Sequence, residues 1–207
     1  MNIKAEITLK GMEKQINRII RFNDKMTIKL FCEYIILSMN GNCKHLYQLI
    51  YNDEYGYLGP DCKVEDYETE ELMEEKKLEY LKLEPKDNLI LNYDFASDWE
   101  FDIKIISVTD EQFDKDFEVI SGCGCGIIED IWGVQELKRV PEMNEKLREY
   151  YAKRIPGYNG YDMKNFDKDE INLKIDEYLD KYREINKPKR YEMNVALEFF
   201  EKEIQRK

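Results

Sequence analysis

The sequence predicts an α+β fold: a mostly antiparallel sheet with helices packed on it and a helical C-terminal third. Three observations lead there. Between Asn88 and Val108, Leu89, Leu91, Tyr93 and Phe95 alternate with Ile90, Asn92 and Asp94, and Trp99, Phe101, Ile103 and Ile105 alternate with Glu100, Asp102 and Lys104. This is a period of two on both sides of a break. The chain before Asn52 reads strand, strand, helix, strand, and beyond Glu129 apolar residues recur at helical spacing. Hairpins in one part of a chain and helices in another favour antiparallel pairing over βαβ units.

The elements follow in order. Ile3, Ala5, Ile7 and Leu9 alternate with Lys4, Glu6, Thr8 and Lys10, a strand with one wet face that turns at Gly11. Ile16 to Phe22 returns as a second strand, on which Arg18 shares a face with Ile16 and Ile20. Thr27 is a suitable N-cap for a buried helix carrying Ile28, Phe31, Ile35 and Met39, which stops at Asn40-Gly41. Leu46 to Tyr51 is a third strand, and Asn52 to Pro60 reads as a turn-rich loop.

Asp61 to Tyr80 holds nine acidic residues against three lysines, half of the net charge of the chain, and reads as a solvated surface excursion. The central hairpin follows, its strands joined by Asp94-Phe95-Ala96-Ser97-Asp98, side chains that hydrogen-bond their own backbone in turns. Phe117, Val119 and Ile120 mark a further strand, which runs into the loop Ser121 to Gly126. Glu129 and Asp130 then open a helical segment carrying Trp132, Leu137 and Val140, where carboxylates suit the positive end of the helix dipole.

Pro141 sits early in the next helix, with Met143, Leu147, Tyr150 and Tyr151 on its inner face. After a loop from Ile155 to Phe166, Asp167 with Glu170 forms a capping box for a helix striped by Ile171, Ile175, Tyr178, Leu179 and Tyr182. Asn186-Lys187-Pro188 breaks it, and a last helix bears Val195, Phe199, Phe200 and Ile204. No internal repeat is visible. We expect one domain over residues 1–207: a sheet-rich core over 1–128 with the acidic excursion 61–80, and a helical part over 129–207 packed on it.

Composition narrows the function classes. With 207 residues, 43% hydrophobic and 13% aromatic including 15 Tyr, the chain has material for a core without disulfides. The net charge is -12. A nucleic-acid binder replaces condensed counterions with Lys and Arg, so this balance argues against direct nucleic-acid binding. No apolar run approaches the length of a membrane helix and the start lacks an apolar leader, so no membrane contact is expected. Five scattered cysteines in a chain of this size fit a reducing cytoplasm better than a disulfide framework.

Two groups of residues offer chemistry. Cys43-x-His45 and Cys123-x-Cys125 present three sulfurs and an imidazole, the ligand types of tetrahedral zinc sites, but the single intervening residue is shorter than such sites use. No metal is assigned to them, and the four residues stand as an alternative. If the turn holding Asp94 and Asp98 lies beside Glu129 and Asp130, the carboxylates supply oxygen ligands for a divalent metal or an acid and base pair. Each also has a plain structural role, in a turn or at a helix start. The Gly-Cys-Gly-Cys-Gly run lacks the Gly-Lys-Ser/Thr end of a phosphate loop.

The order of landmarks resembles a known group, the plasmid Orf-three-like family named from an open reading frame on an Ri plasmid, also labelled insertion-element passenger proteins. That family reads W-R-R on a strand, a helix opening with Thr-Leu, H-L-H, Y-D-F-G-D-x-W-E-H, P-E-D-C-G-G and F-D-x-x-x-x-N. Matching positions here are Arg18, Thr27-Ile28, His45-Leu46-Tyr47, the run Tyr93 to Phe101, Glu129-Asp130-Ile131-Trp132-Gly133, and Phe166-Asp167 with Asn172. Asn17, Ile19, Tyr47, Phe101 and Ile131 depart from the pattern. A mechanism needing the family's further histidines or its cysteine therefore cannot operate in this chain.

The resemblance implies an α+β single domain of mobile-element background and carries no reaction with it. The candidate pocket comprises Arg18, His45, Tyr93, Asp94, Asp98, Trp99, Glu129, Asp130 and Trp132, with no catalytic residue assigned. The expected function is a non-enzymatic accessory module that binds a protein partner and needs no cofactor. The alternative is a metal-dependent hydrolase or nuclease using the carboxylate cluster.

Overall fold

The structure, a computed structural model, describes residues 1–51, 54–58 and 76–185. Strands β1 (Asn2–Leu9), β2 (Asn17–Asn23), β3 (Tyr47–Tyr51), β4 (Glu54–Leu58), β5 (Asn88–Tyr93), β6 (Trp99–Thr109) and β7 (Phe117–Cys123) form one sheet in the order β4-β3-β5-β6-β1-β2-β7. Every pairing in it is antiparallel. With helices α1 (Ile28–Ser38), α2 (Gly133–Arg139), α3 (Glu145–Ala152) and α4 (Lys168–Ile185), the class is α+β. The chain divides into two compact units, Met1–Asn172 and Leu173–Lys207. The first holds the whole sheet and α1 to α3.

Period-two patterning sets the register. Ile3, Ala5, Ile7 and Leu9 are buried while Lys4 is exposed, and Leu89, Leu91, Trp99, Phe101, Ile103 and Ile105 are buried across the central hairpin. Tyr93 pairs with Trp99, so the hairpin turns over Asp94 to Asp98 as the sequence predicts. Phe95 corrects the reading: the turn takes it off the buried face and leaves it 46% exposed. Helix α1 begins at Thr27, whose hydroxyl accepts from the Leu30 N–H at 3.2 Å. It packs Phe31 on Phe22, with ring centroids 4.8 Å apart, and Tyr34 against Phe117 at 5.3 Å.

The segment expected as a loop over Asn52 to Pro60 contains β4, which pairs with β3 so that Tyr51 lies opposite Glu54. The Asn, Asp and Gly residues that read as punctuation conceal a five-residue strand that, among the described residues, pairs with β3 alone. Strand β7 runs on through Ser121 and Gly122 to Cys123, further than its apolar residues indicate, because its backbone keeps pairing with β2 as far as Asn17. A bulge between Ile19 and Ile20 accommodates the extra residue.

Beyond Glu129 the described helices are α2, α3 and α4, joined by short 3₁₀ turns and loops. Val140-Pro141-Glu142 is a 3₁₀ turn, and Asn144, not Pro141, opens α3 by accepting from the Leu147 N–H. Leu147 and Tyr150 are 41% and 49% exposed, so they do not form the expected inner face, whereas Met143 is buried. Asp167 caps α4 as predicted, accepting from the Asp169 and Glu170 N–H groups at 3.0 Å. The last expected helix and residues 61–75 of the acidic excursion lie outside the described residues.

Candidate functional site

Three connections meet at one end of the central hairpin. The first leaves α1. Asn40 adopts the left-handed conformation (φ 67°), its N–H bonds the Leu37 carbonyl and the Gly41 N–H bonds the Ile36 carbonyl at 2.8 Å, a Schellman ending. A Cβ on Gly41 would lie 2.4 Å from Ile36 Cγ2 and 3.2 Å from Glu129 Oε1, so a side chain here would collide with the helix end and crowd the Glu129 carboxylate. The second connection is the turn Asp94 to Asp98, with Asp94 and Asp98 at φ 52° and 54°. The third is the loop from Gly124 to Trp132.

The Gly-rich loop is shaped by close backbone approach. A Cβ on Gly124 would lie 2.2 Å from the Gln15 carbonyl oxygen and one on Gly126 2.2 Å from that of Met39. The Ile127 N–H then donates to Met39 O at 2.8 Å and Asn40 Nδ2 donates to Ile127 O at 3.0 Å, which fastens the loop to the end of α1. Gly133 (φ 75°) sits so near the hairpin turn that a Cβ would be 2.3 Å from the Ser97 carbonyl oxygen. These contacts bring the turn and the loop together.

His45 stands between them. Its Nδ1 is 3.8 Å from Asp94 Oδ1, and its Nε2 is 3.7 Å from Glu129 Oε2 and 3.5 Å from Asp130 Oδ1. Tyr93 packs its ring edge-on to the imidazole at 5.9 Å and donates its hydroxyl to Glu129 Oε1 at 2.8 Å. The Asn42 N–H donates to the same oxygen at 2.5 Å. Burial pushes the Glu129 carboxyl above the usual carboxylate range, opposed by the Tyr93 and Asn42 hydrogen bonds and by His45. Burial, and then the Glu129 charge, raise the Tyr93 phenol.

The expected group is therefore assembled in part. His45, Tyr93, Asp94, Glu129 and Asp130 meet; Asp98 is exposed, its N–H donating to the Asp94 carbonyl at 2.7 Å while its carboxylate makes no hydrogen bond or ion pair among the described residues. Trp99 is fully buried under the hairpin. Trp132 is not a core residue of the following helix: the Gly133 turn swings its indole outward and leaves it 81% exposed.

Arg18 makes none of these contacts. It is fully buried, with Nε on Ser38 O at 2.9 Å and Nη1 on Asn17 O and Cys123 O at 2.7 Å, its guanidinium 4.9 Å from the Phe166 ring. Burial lowers its pKa to about 10. Its role is to tie β2, α1 and β7 by their carbonyls. The cysteines do not join His45. Cys43 Sγ donates to Glu33 O, and Cys123 Sγ to Lys14 O and Gln15 O. Among the described residues no group of three His, Cys, Asp or Glu side chains is arranged to hold a metal ion. Asn42, whose N–H bonds Glu129, is not singled out by the sequence, where the helix stop is Asn40-Gly41.

Residues 2–174 match the family model described as plasmid pRiA4b ORF-3-like protein. The chain belongs to this family. The pRiA4b ORF-3-like landmarks quoted above now have physical roles: Arg18 binds carbonyls, Tyr93 and Glu129 bond each other, and Asn172 bonds β7. No curated protein matches the chain. The fold is similar to the crystal structure of a protein of unknown function from Methanosarcina mazei Go1, with a TM-score of 0.62 and 16% identity over 82% of this chain and 96% of that one. No helix of the described residues is long and apolar enough to cross a membrane.

Proposed function

We propose that this pRiA4b ORF-3-like protein is a non-enzymatic binding module that engages a protein partner through the face formed by the hairpin turn Asp94 to Asp98 and the loop Glu129 to Trp132. The single observation that carries the reading is Trp132, 81% exposed yet held between buried Ile131 and the Gly133 contact with Ser97. Exposed aromatic side chains on a fixed backbone lose little conformational entropy on association and anchor many interfaces. Affinity capture from source cells with the full chain and with Trp132→Ala tests it. A protein retained by the first and lost with the second supports the module; identical captured sets sink it.

A second reading, a metal-dependent hydrolase or nuclease, draws on the three carboxylates around His45. Against it, the imidazole fills the space between them, with Asp94 on one nitrogen and Glu129 and Asp130 on the other. Its test is the melting temperature in Mn²⁺ and Mg²⁺: a saturable rise that disappears in Asp130→Asn supports a metal site, and no rise removes this reading.

A further inference from the structure

We infer that the partner presents an arginine to this face, its guanidinium stacked on the Trp132 indole and paired with the Asp98 and Asp130 carboxylates. The inference rests on the reading of this face as a partner-binding surface. Three observations carry it. Trp132 has no ring contact or hydrogen bond among the described residues, so its π-face is open.

The Asp98 carboxylate is exposed and accepts no hydrogen bond among the described residues, with the Lys10 ammonium as a charge that interacts with it, and Asp130 keeps 63% of its side chain exposed with His45 and Glu129 as charged neighbours. Both are fixed by left-handed backbone, at φ 54° and 61°, on segments that touch where Gly133 meets the Ser97 carbonyl. The segments that build the face carry Asp94, Asp98, Glu129 and Asp130 against Lys44 and His45, and the further cation that interacts with Asp98, Lys10, is already paired with Glu100, so the charge of the face calls for a cation.

Arginine fits this better than lysine for a geometric reason. A planar guanidinium can lie flat on an indole while its edge donates two parallel hydrogen bonds to a carboxylate, whereas an ammonium meets a ring or a carboxylate as a point charge. Neutral or acidic partners would leave the carboxylates desolvated without compensation.

The test uses three acetylated, amidated pentapeptides, Gly-Xaa-Gly-Xaa-Gly, with Xaa arginine, lysine or citrulline, titrated into the full chain at low salt. Trp132 emission is the signal, since the other tryptophan, Trp99, is buried. The arginine peptide should bind saturably, the lysine peptide about fivefold more weakly and the citrulline peptide not detectably, and Trp132→Ala or Asp98→Asn with Asp130→Asn should weaken the arginine peptide about tenfold by calorimetry.

Asp110→Asn with Glu111→Gln removes two charges at the far end of β6, roughly 35 Å along the strand from Asp98, and should leave binding unchanged. Equal affinity for arginine and lysine, or equal weakening by the Asp110 and Glu111 pair, overturns the inference in favour of general attraction to a chain of net charge -12. If partner capture depends on Trp132 but the arginine peptide does not compete, the arginine inference falls and the binding face stands. If capture ignores Trp132, the face itself falls.

Discussion

Glu129 carries the most demanding position in the molecule. Its Oε1 accepts from the Tyr93 hydroxyl and the Asn42 N–H, while its Oε2 is buried without a hydrogen bond among the described residues. Because burial raises the carboxyl, the folded chain holds more protons than the unfolded one between the ordinary carboxylate value and the raised one. Stability therefore falls as pH rises across that interval. Glu129→Gln keeps the acceptor for Tyr93 and Asn42 and removes the ionisation. Urea unfolding at a series of pH values should give a flatter curve for Glu129→Gln in that interval, and an unchanged slope would show that another group is responsible. Neither the burial of Glu129 nor its partners could be read from the sequence, where Glu129 and Asp130 look like ordinary helix-start carboxylates.

At the scale of elements, strands were legible wherever one face is wet, since alternation then reports burial directly: β1 follows it from Ile3, β5 throughout and β6 as far as Ile106. Strand β4 was hidden by turn-forming residues and short length, and the end of β7 by glycines that serve backbone approach instead of chain reversal. What protects the outer side of β7 is Asn172, which accepts from the Val119 N–H at 2.8 Å and donates to the Val119 carbonyl at 3.0 Å. A side-chain amide thus stands in for a neighbouring strand, blunting an edge that would otherwise offer unpaired groups. Asn172→Ala should lower stability by about 1 to 3 kcal/mol, the cost of leaving a backbone donor and acceptor unsatisfied. The urea midpoint should move with the slope unchanged; a shift below a few tenths would mean that water replaces the amide at no cost.

At the scale of the molecule, the two tryptophans divide the labour. Trp99 is fully buried in the sheet core and Trp132 is 81% exposed on the loop against the hairpin turn. Trp99→Ala should cost about 3 to 5 kcal/mol by opening a cavity, and Trp132→Ala should change stability by no more than about 0.5 kcal/mol, both read from thermal or urea unfolding. A large loss on Trp132→Ala would make that side chain part of the packing and not of a surface. The sequence allowed both to be core residues, because exposure at position 132 comes from the Gly133 turn against Ser97, a contact between segments far apart in the chain. The meeting of Asp94 with Glu129 and Asp130 was legible only as a condition; His45 between them is what the fold adds.

Everything turns on whether the Trp132 face meets another protein in the cell. The most direct measurement keeps Trp132, places the photoreactive residue benzoylphenylalanine at exposed Ala96 in the adjoining hairpin turn, irradiates intact source cells, and repeats the experiment with the probe at Glu111, just beyond the opposite end of β6. One discrete crosslinked protein is expected from position 96 and none in common from position 111. No adduct at position 96, or the same adducts from both, would overturn the binding face.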